Sequence, residues 1–255
     1  MACIQLIRFG WEQALSCLFP VIIFASLALT QVIPLPLLPR YDWLLIICLL
    51  MQWLMLRLGL ETRDELKVIT LFHIIGLALE LFKVHMGSWS YPEEGYFKIF
   101  GVPLYSGFMY ASVASYLCQA WRRLKVDLVR WPPYLVVVPL AAAIYLNFFT
   151  HHFWIDIRWI LSGLVLVVFW RSWVTYEVGE SRYRMPLSLS FVLIGFFIWI
   201  AENIATFFGA WEYPNQADAW SLVHLGKVSS WLLLVIVSFL IVATLKLYKK
   251  KMSMD

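Results

Sequence analysis

Eight apolar stretches, each near the length of a membrane helix, leave this chain few ways to fold. A hydrocarbon core of about 30 Å takes roughly 20 apolar residues per helical crossing. The stretches lie near 15–34, 42–58, 68–86, 103–121, 133–150, 157–175, 186–206 and 222–246. Turn formers separate them: Pro34, Pro36 and Pro39, then Pro92, Pro132-Pro133, Pro186 and Pro214. Charged residues are 14% of the 255 and hydrophobic ones 62%, against roughly 25% charged in an average soluble domain. So few charges cannot cover a water-exposed surface of this size, which excludes a soluble enzyme, a disordered chain and a nucleic-acid binder. The pattern predicts an all-α polytopic membrane protein with eight transmembrane helices in a single domain, residues 1–255.

Basic residues concentrate in cytoplasmic loops. An inside N-terminus puts Arg8, Arg57, Arg63, Lys67, Arg122, Arg123, Lys125, Arg130, Arg171, Arg182, Arg184, Lys246, Lys249, Lys250 and Lys251 on the inner side, fifteen of the twenty Lys and Arg. Both termini are therefore expected in the cytoplasm and the chain in the cell inner membrane, multi-pass. Ser26-Leu27-Ala28 has the small residues of a signal cleavage site, but only Arg8 precedes the run, so an uncleaved helix is expected. Cys3, Cys17, Cys48 and Cys118 fall at the N-terminus or inside helices, so no disulfide framework is expected.

The chain repeats itself. Residues 80–92 and 202–214 share five identities at one offset of 122: Glu80/Glu202, Gly87/Gly209, Trp89/Trp211, Tyr91/Tyr213 and Pro92/Pro214. Both copies fall at the outer end of an outward-running helix. A four-helix unit duplicated in parallel (about 1–126 and 127–255) accounts for this, as in transporters built from parallel repeats. Gly suits a helix end, Trp and Tyr suit the headgroup level, and Pro forces the turn. Four of the five identities are thus explained as helix-end anchors.

The carboxylates need a further reason. Glu80 and Glu202 precede their glycines by seven residues, roughly 10 Å of helix. A charge at the bilayer centre costs about 2.5–3.5 kcal/mol on insertion scales. Such groups face a cavity, pair or stay protonated, and an acid tuned by its surroundings can donate protons near neutral pH. Lys83, one turn from Glu80, is the structural alternative as its ion partner. Trp89, Tyr91, Trp211, Tyr213, Tyr105 and His85 are the candidate substrate-binding residues around the two catalytic candidates. Other polar groups on this side are Glu93, Glu94, Asp218 and His224. His73, two turns below Glu80, reads as a satisfied buried side chain or a proton relay. His152 and Asp156 would share a face if 151–156 were helical, but with His151 they complete no metal-ligand spacing. No metal and no cofactor are expected; no phosphate loop, dinucleotide fingerprint or nucleophile elbow occurs.

The stretch from Glu80 to Pro103, with Gly-x-Trp-x-Tyr-Pro and then Phe100-Gly101-Val102-Pro103-Leu104, resembles a bacterial inner-membrane family known as domain of unknown function 817. More distantly it is similar to integral-membrane carotenoid enzymes, the heterodimeric-type lycopene cyclases and the bacterioruberin-pathway hydratases. The cyclase-type Pro-x-Glu-Glu signature is echoed, one residue short, by Pro92-Glu93-Glu94. That resemblance implies proton-initiated chemistry on a polyene, with acidic residues as acid and base.

Three function classes follow. An enzyme without cofactor would act on a lipid or isoprenoid, one Glu protonating a double bond, the other taking a proton, and aromatic faces stabilising a cation. A small proton-coupled transporter would use the same acids to bind substrate. A scaffold would need neither Glu. The first is preferred, with a hydrophobic small molecule and the bilayer as partners.

Overall fold

The computed structural model describes residues 2–33 and 35–252, without the side chains of positions 2, 245 and 247–252. Pro34 and the side chains of Lys249, Lys250 and Lys251 lie outside that description. The described residues form nine α-helices: α1 (Ala2–Ser16), α2 (Leu18–Val32), α3 (Arg40–Arg57), α4 (Arg63–His85), α5 (Ser106–Arg123), α6 (Tyr134–Thr150), α7 (Arg158–Val168), α8 (Leu187–Phe207) and α9 (Lys227–Met252). Five short strands accompany them: β1 (Lys98–Ile99), β2 (Val102–Pro103), β3 (Asp127–Val129), β4 (Trp173–Val178) and β5 (Ser181–Pro186).

Among the described residues three helices are long and apolar enough to cross a membrane: α4, α8 and the Lys227–Thr244 part of α9. Cys3–Ser16 with Leu18–Val32 adds a fourth if that pair is one span. Leu135, Val138, Trp159, Val167, Trp170 and Phe197 are all more than half exposed. Apolar surface on this scale faces lipid. The chain is an integral membrane protein.

Each of the eight apolar runs holds a helix, but two expectations are corrected. The run at 157–175 is helical only as far as Val168, about 16 Å of rise. Its tail, Trp173-Val174-Thr175-Tyr176, is β-branched and aromatic and becomes β4. Gly179, at φ +61°, opens the two-residue turn to β5, the position where glycine is needed in such hairpins. The fold is thus not purely helical: β3, β4 and β5 form an antiparallel sheet in that order, and β1 pairs with β2.

Two compact units divide the chain. One comprises residues 1–16, 120–199 and 224–255. Within it α6, α7 and α9 pack together. Phe239 is the centre of an aromatic core, with ring centroids 5.6 Å from Trp121, 6.2 Å from Trp131 and 5.3 Å from Phe191. A methyl at Gly195 of α8 would lie 3.0 Å from the Leu232 nitrogen of α9, so glycine there permits close helix contact.

The other unit comprises residues 17–119 and 200–223: α2, α3, α4, most of α5, the end of α8 and the loops after α4 and α8. A capping box starts α4, with Thr62 Oγ1 accepting from the Glu65 amide at 3.2 Å and Glu65 accepting from the Thr62 amide at 2.9 Å. Buried Asp42 on α3 accepts the amides of Tyr96 and Phe97 at 2.8 and 3.0 Å, anchoring the loop that follows α4. Glu61, also buried, accepts from Gln52 and Ser115. Carboxylates in this unit are thus held by fixed donors, the usual condition for their burial.

Candidate functional site

The duplicated motif has duplicated geometry. Helix α4 ends at Gly87 with φ +67° and α8 at Gly209 with φ +66°. Gly87 and Ser88 donate to the carbonyls of Val84 and Lys83 at 3.0 and 2.9 Å. Gly209 and Ala210 donate to Thr206 and Ala205 at 3.1 and 3.0 Å. These bonds are the same pair displaced by 122 residues, a helix termination that requires the left-handed residue. The two segments then meet. Ser90 donates to the Glu212 carbonyl at 2.9 Å and Glu212 to that of Ser90 at 3.0 Å. Ser90 and Glu212 are themselves 122 apart, and an antiparallel pair exchanging both bonds between equivalent residues defines a local two-fold.

Within this frame both acids are buried, Glu80 to 3% exposure and Glu202 to 2%. Glu80 Oε2 accepts from the Trp89 indole and the Tyr91 phenol, each at 2.7 Å, and Oε1 accepts from the Tyr110 phenol at 2.7 Å. Glu202 accepts from the Tyr213 phenol, the counterpart of Tyr91, and the Trp211 side chain hydrogen-bonds Tyr213. Trp89 crosses to the other copy, its ring 5.9 Å from that of Tyr213 at an interplanar angle of 79°. Tyr105, fully buried, donates to the Ala210 carbonyl at 2.5 Å. Seven of the eight sequence-selected residues therefore lie in one assembly, buried but for half-buried Trp89. His85 does not join them: it is the exposed last residue of α4, five positions from Glu80 and so about 140° around the helix.

Burial pushes the phenols of Tyr91 and Tyr213 well above their ordinary range, and the adjacent carboxylates push the same way. For Tyr213 the larger of these charges is Glu202, with Glu80 also contributing, while the bond to Trp211 opposes the shift. Both phenols therefore keep their protons at neutral pH. An indole N–H only donates, whereas a phenol donates and accepts. Tyr91 and Tyr110 therefore stand as hydrogen-bond donors to the Glu80 carboxyl.

Tyr110 is the member that sequence reading missed. It lies thirty residues from Glu80 on α5, and position 232, its counterpart by the repeat offset, is Leu, so no duplication marks it. A methyl at Gly76 would overlap the Tyr110 ring; this glycine, one turn before Glu80, lets the phenol reach the acid. Arg40 was missed as well. Its guanidinium donates to the carbonyls of Phe208 and Gly209 at 2.5 and 3.3 Å and of Leu27 at 3.0 Å. It thereby satisfies the exposed C-terminal carbonyls of α8. The same group pairs with Glu93, so Glu93 of the Pro92-Glu93-Glu94 segment is turned to Arg40, and Glu94 is exposed. Lys98 donates to the carbonyls of Tyr91 and Glu93, both at 2.9 Å, under the face of Tyr41. Ser106 Oγ is buried with no hydrogen-bond partner among the described residues.

The remaining polar candidates lie elsewhere. Residues 151–156 form turns rather than a helix, so His152 and Asp156 share no helical face. His151 Nδ1 contacts the Asn147 carbonyl at 2.8 Å, and Asp156 bonds Arg158 and Asn147. His73 Nδ1 is buried without a hydrogen-bond partner among the described residues, its ring 4.5 Å from that of Phe108. Among the described residues no three His, Cys, Asp or Glu side chains gather as a metal site would need.

Comparison with known proteins gives the same picture of relationship. The chain is 84% identical over 247 residues to the uncharacterized protein YoaT of Bacillus subtilis (strain 168), covering 97% of this chain and 94% of that one. Its fold is similar to the crystal structure of MvINS, a mycobacterial Insig homolog from Mycobacterium vanbaalenii. The TM-score is 0.52 at 12% identity, over 71% of this chain and 93% of that one. A cross-linked MvINS trimer superposes equally, with a TM-score of 0.51. A family model described as "Protein of unknown function (DUF817)" matches residues 5–239, and the chain belongs to that family.

Proposed function

We propose that this membrane protein is a cofactor-independent enzyme acting by acid–base catalysis on a hydrophobic small molecule of isoprenoid type, with Glu80 and Glu202 as its acid and base. The observation that carries this reading is the convergence of two phenols and an indole on Glu80, repeated in reduced form at Glu202. One carboxyl adds a proton to a carbon–carbon double bond. The neighbouring acid takes a proton from the carbon beside the resulting cation, so charge and electrons balance without an oxidant. Trp89, Trp211, Tyr91, Tyr213 and Tyr105 supply the aromatic faces that stabilise a carbocation. The similarity to carotenoid enzymes points to polyenes as the substrate class. The protein would reside in the inner membrane as a multi-pass chain of two four-helix repeats, both termini cytoplasmic. The helix found in each of the eight apolar runs supports the multi-pass part of this reading, and the basic-residue asymmetry supports the orientation.

The test uses membranes containing the full chain, an acyclic C40 polyene and D2O. Deuterium is expected in the recovered polyene with the wild type, and at least about 100-fold less with Glu80→Gln or Glu202→Gln, the loss usual for a general acid or base. Unchanged incorporation in both variants removes the acid–base role. A second reading, a proton-coupled carrier, is favoured by one observation: the two acids lie on α4 and α8, two of the three long apolar helices. Acidification-driven uptake into proteoliposomes, abolished by the same substitutions and with no deuterium exchange, would select it.

A further inference from the structure

A second candidate site is built from residues outside the acid assembly. An open groove of about 440 Å³ is lined by Arg122, Lys125, Arg182 and Lys246, with Asp127 and Glu177 as its acidic members and Trp121 in its wall. Four cations against two anions leave a formal charge of +2. All of these residues belong to one compact unit. They come from the end of α5, the turn after it, the start of β3, the β4–β5 hairpin and the C-terminal part of α9. Helix ends and hairpins of a membrane protein sit at headgroup depth, and a Trp at that level is an interfacial anchor.

The walls are fixed by backbone bonds. Lys125 occupies a left-handed turn at φ +46°. That turn is closed by Val126 donating to Trp121 at 2.9 Å and tied to the sheet by Glu177 donating to Leu124 at 2.7 Å. Lys125 bridges to Glu177 at 2.6 Å, and Arg182 is steadied by Thr175 at 3.1 Å. The volume lies within the range of about 300–1,000 Å³ usual for small-molecule sites. A groove with excess positive charge at the surface on which basic residues accumulate matches what binds phosphate headgroups. Two arginines supply the forked donors that hold phosphate oxygens.

We propose that this groove binds a phosphate-ester anion at the inner membrane surface. Its source is an anionic phospholipid headgroup or a soluble phosphate ester, and the experiment separates the two. The purified full-length chain in neutral detergent is melted while dihexanoyl phosphatidylglycerol, dihexanoyl phosphatidylcholine or glycerol 3-phosphate is titrated. Phosphatidylglycerol is expected to raise Tm saturably and phosphatidylcholine not. An equal rise with glycerol 3-phosphate identifies a soluble ester; no rise with it identifies the lipid. Arg122→Gln and Arg182→Gln alter exposed side chains and should leave the ligand-free Tm in place. Each should raise the half-saturating concentration about tenfold, the usual loss for one charged hydrogen bond. Equal shifts with phosphatidylcholine, no shift with either anion, or unchanged half-saturation in both variants overturns the proposal.

Discussion

Tyr110 and Asp156 show what single side chains contribute here. The Tyr110 phenol donates to Glu80 Oε1 at 2.7 Å. Tyr110→Phe keeps the ring and removes that bond, and should destabilise the protein by about 1–3 kcal/mol, the range for a buried acceptor losing its partner. Urea unfolding in detergent measures it, and a change under 0.5 kcal/mol would show the bond to be dispensable. Asp156, in the loop between α6 and α7, is held below the usual carboxylate range. Burial opposes this, but is outweighed by the amide of Arg158, the amide side chain of Asn147 and the Arg158 charge. A depressed folded-state pKa adds stability above the unfolded-state value, about 4, and loses it as pH falls through the folded-state value. The stability gap between wild type and Asp156→Asn should therefore be constant from pH 7 to about 5 and close below about pH 4. A gap that stays open at pH 2 contradicts the assignment.

Helix ends and helix contacts carry the next level. At Gly87 and Gly209 a side chain would meet nothing closer than ordinary contact, so Ala there is penalised by backbone conformation alone. Gly87→Ala and Gly209→Ala should each cost about 1 kcal/mol. Markedly unequal losses in thermal melts would break the equivalence of the two ends. Gly76→Ala is a different case: its methyl enters the Tyr110 ring, and about 1–3 kcal/mol of overpacking is expected. The Tyr110→Phe effect should shrink in that background, because the phenol is already displaced from Glu80. Additive losses in the double variant would mean the ring finds another path to the acid. Segment 157–175 shows how hydropathy misleads at this scale. Apolarity continues through Trp173 and Val174, but β-branched and aromatic residues followed by Gly179 favour a hairpin, and α7 stops at Val168.

For the molecule as a whole, charge asymmetry sets an expectation that labelling can check. Cysteines placed at Ile155 and Glu180, in a chain whose four native cysteines are replaced, should react with an impermeant maleimide on opposite sides of the membrane. Ile155→Cys should react on intact cells and Glu180→Cys only after permeabilisation; the reverse, or one side for both, overturns the orientation. Helices α2–α9 (though neither α1 nor the early end of α7), the paired glycine stops and the two costly acids were legible in the residues, because hydrophobic burial and backbone conformation are local properties that a linear pattern records. Pairing of Ser90 with Glu212, arrival of Tyr110 at Glu80 and the grip of Arg40 on the end of α8 were not. Each joins residues from 30 to 169 positions apart, and no local rule says which distant donor will meet a buried acceptor. That choice is made by packing, which brings the groups within hydrogen-bonding distance.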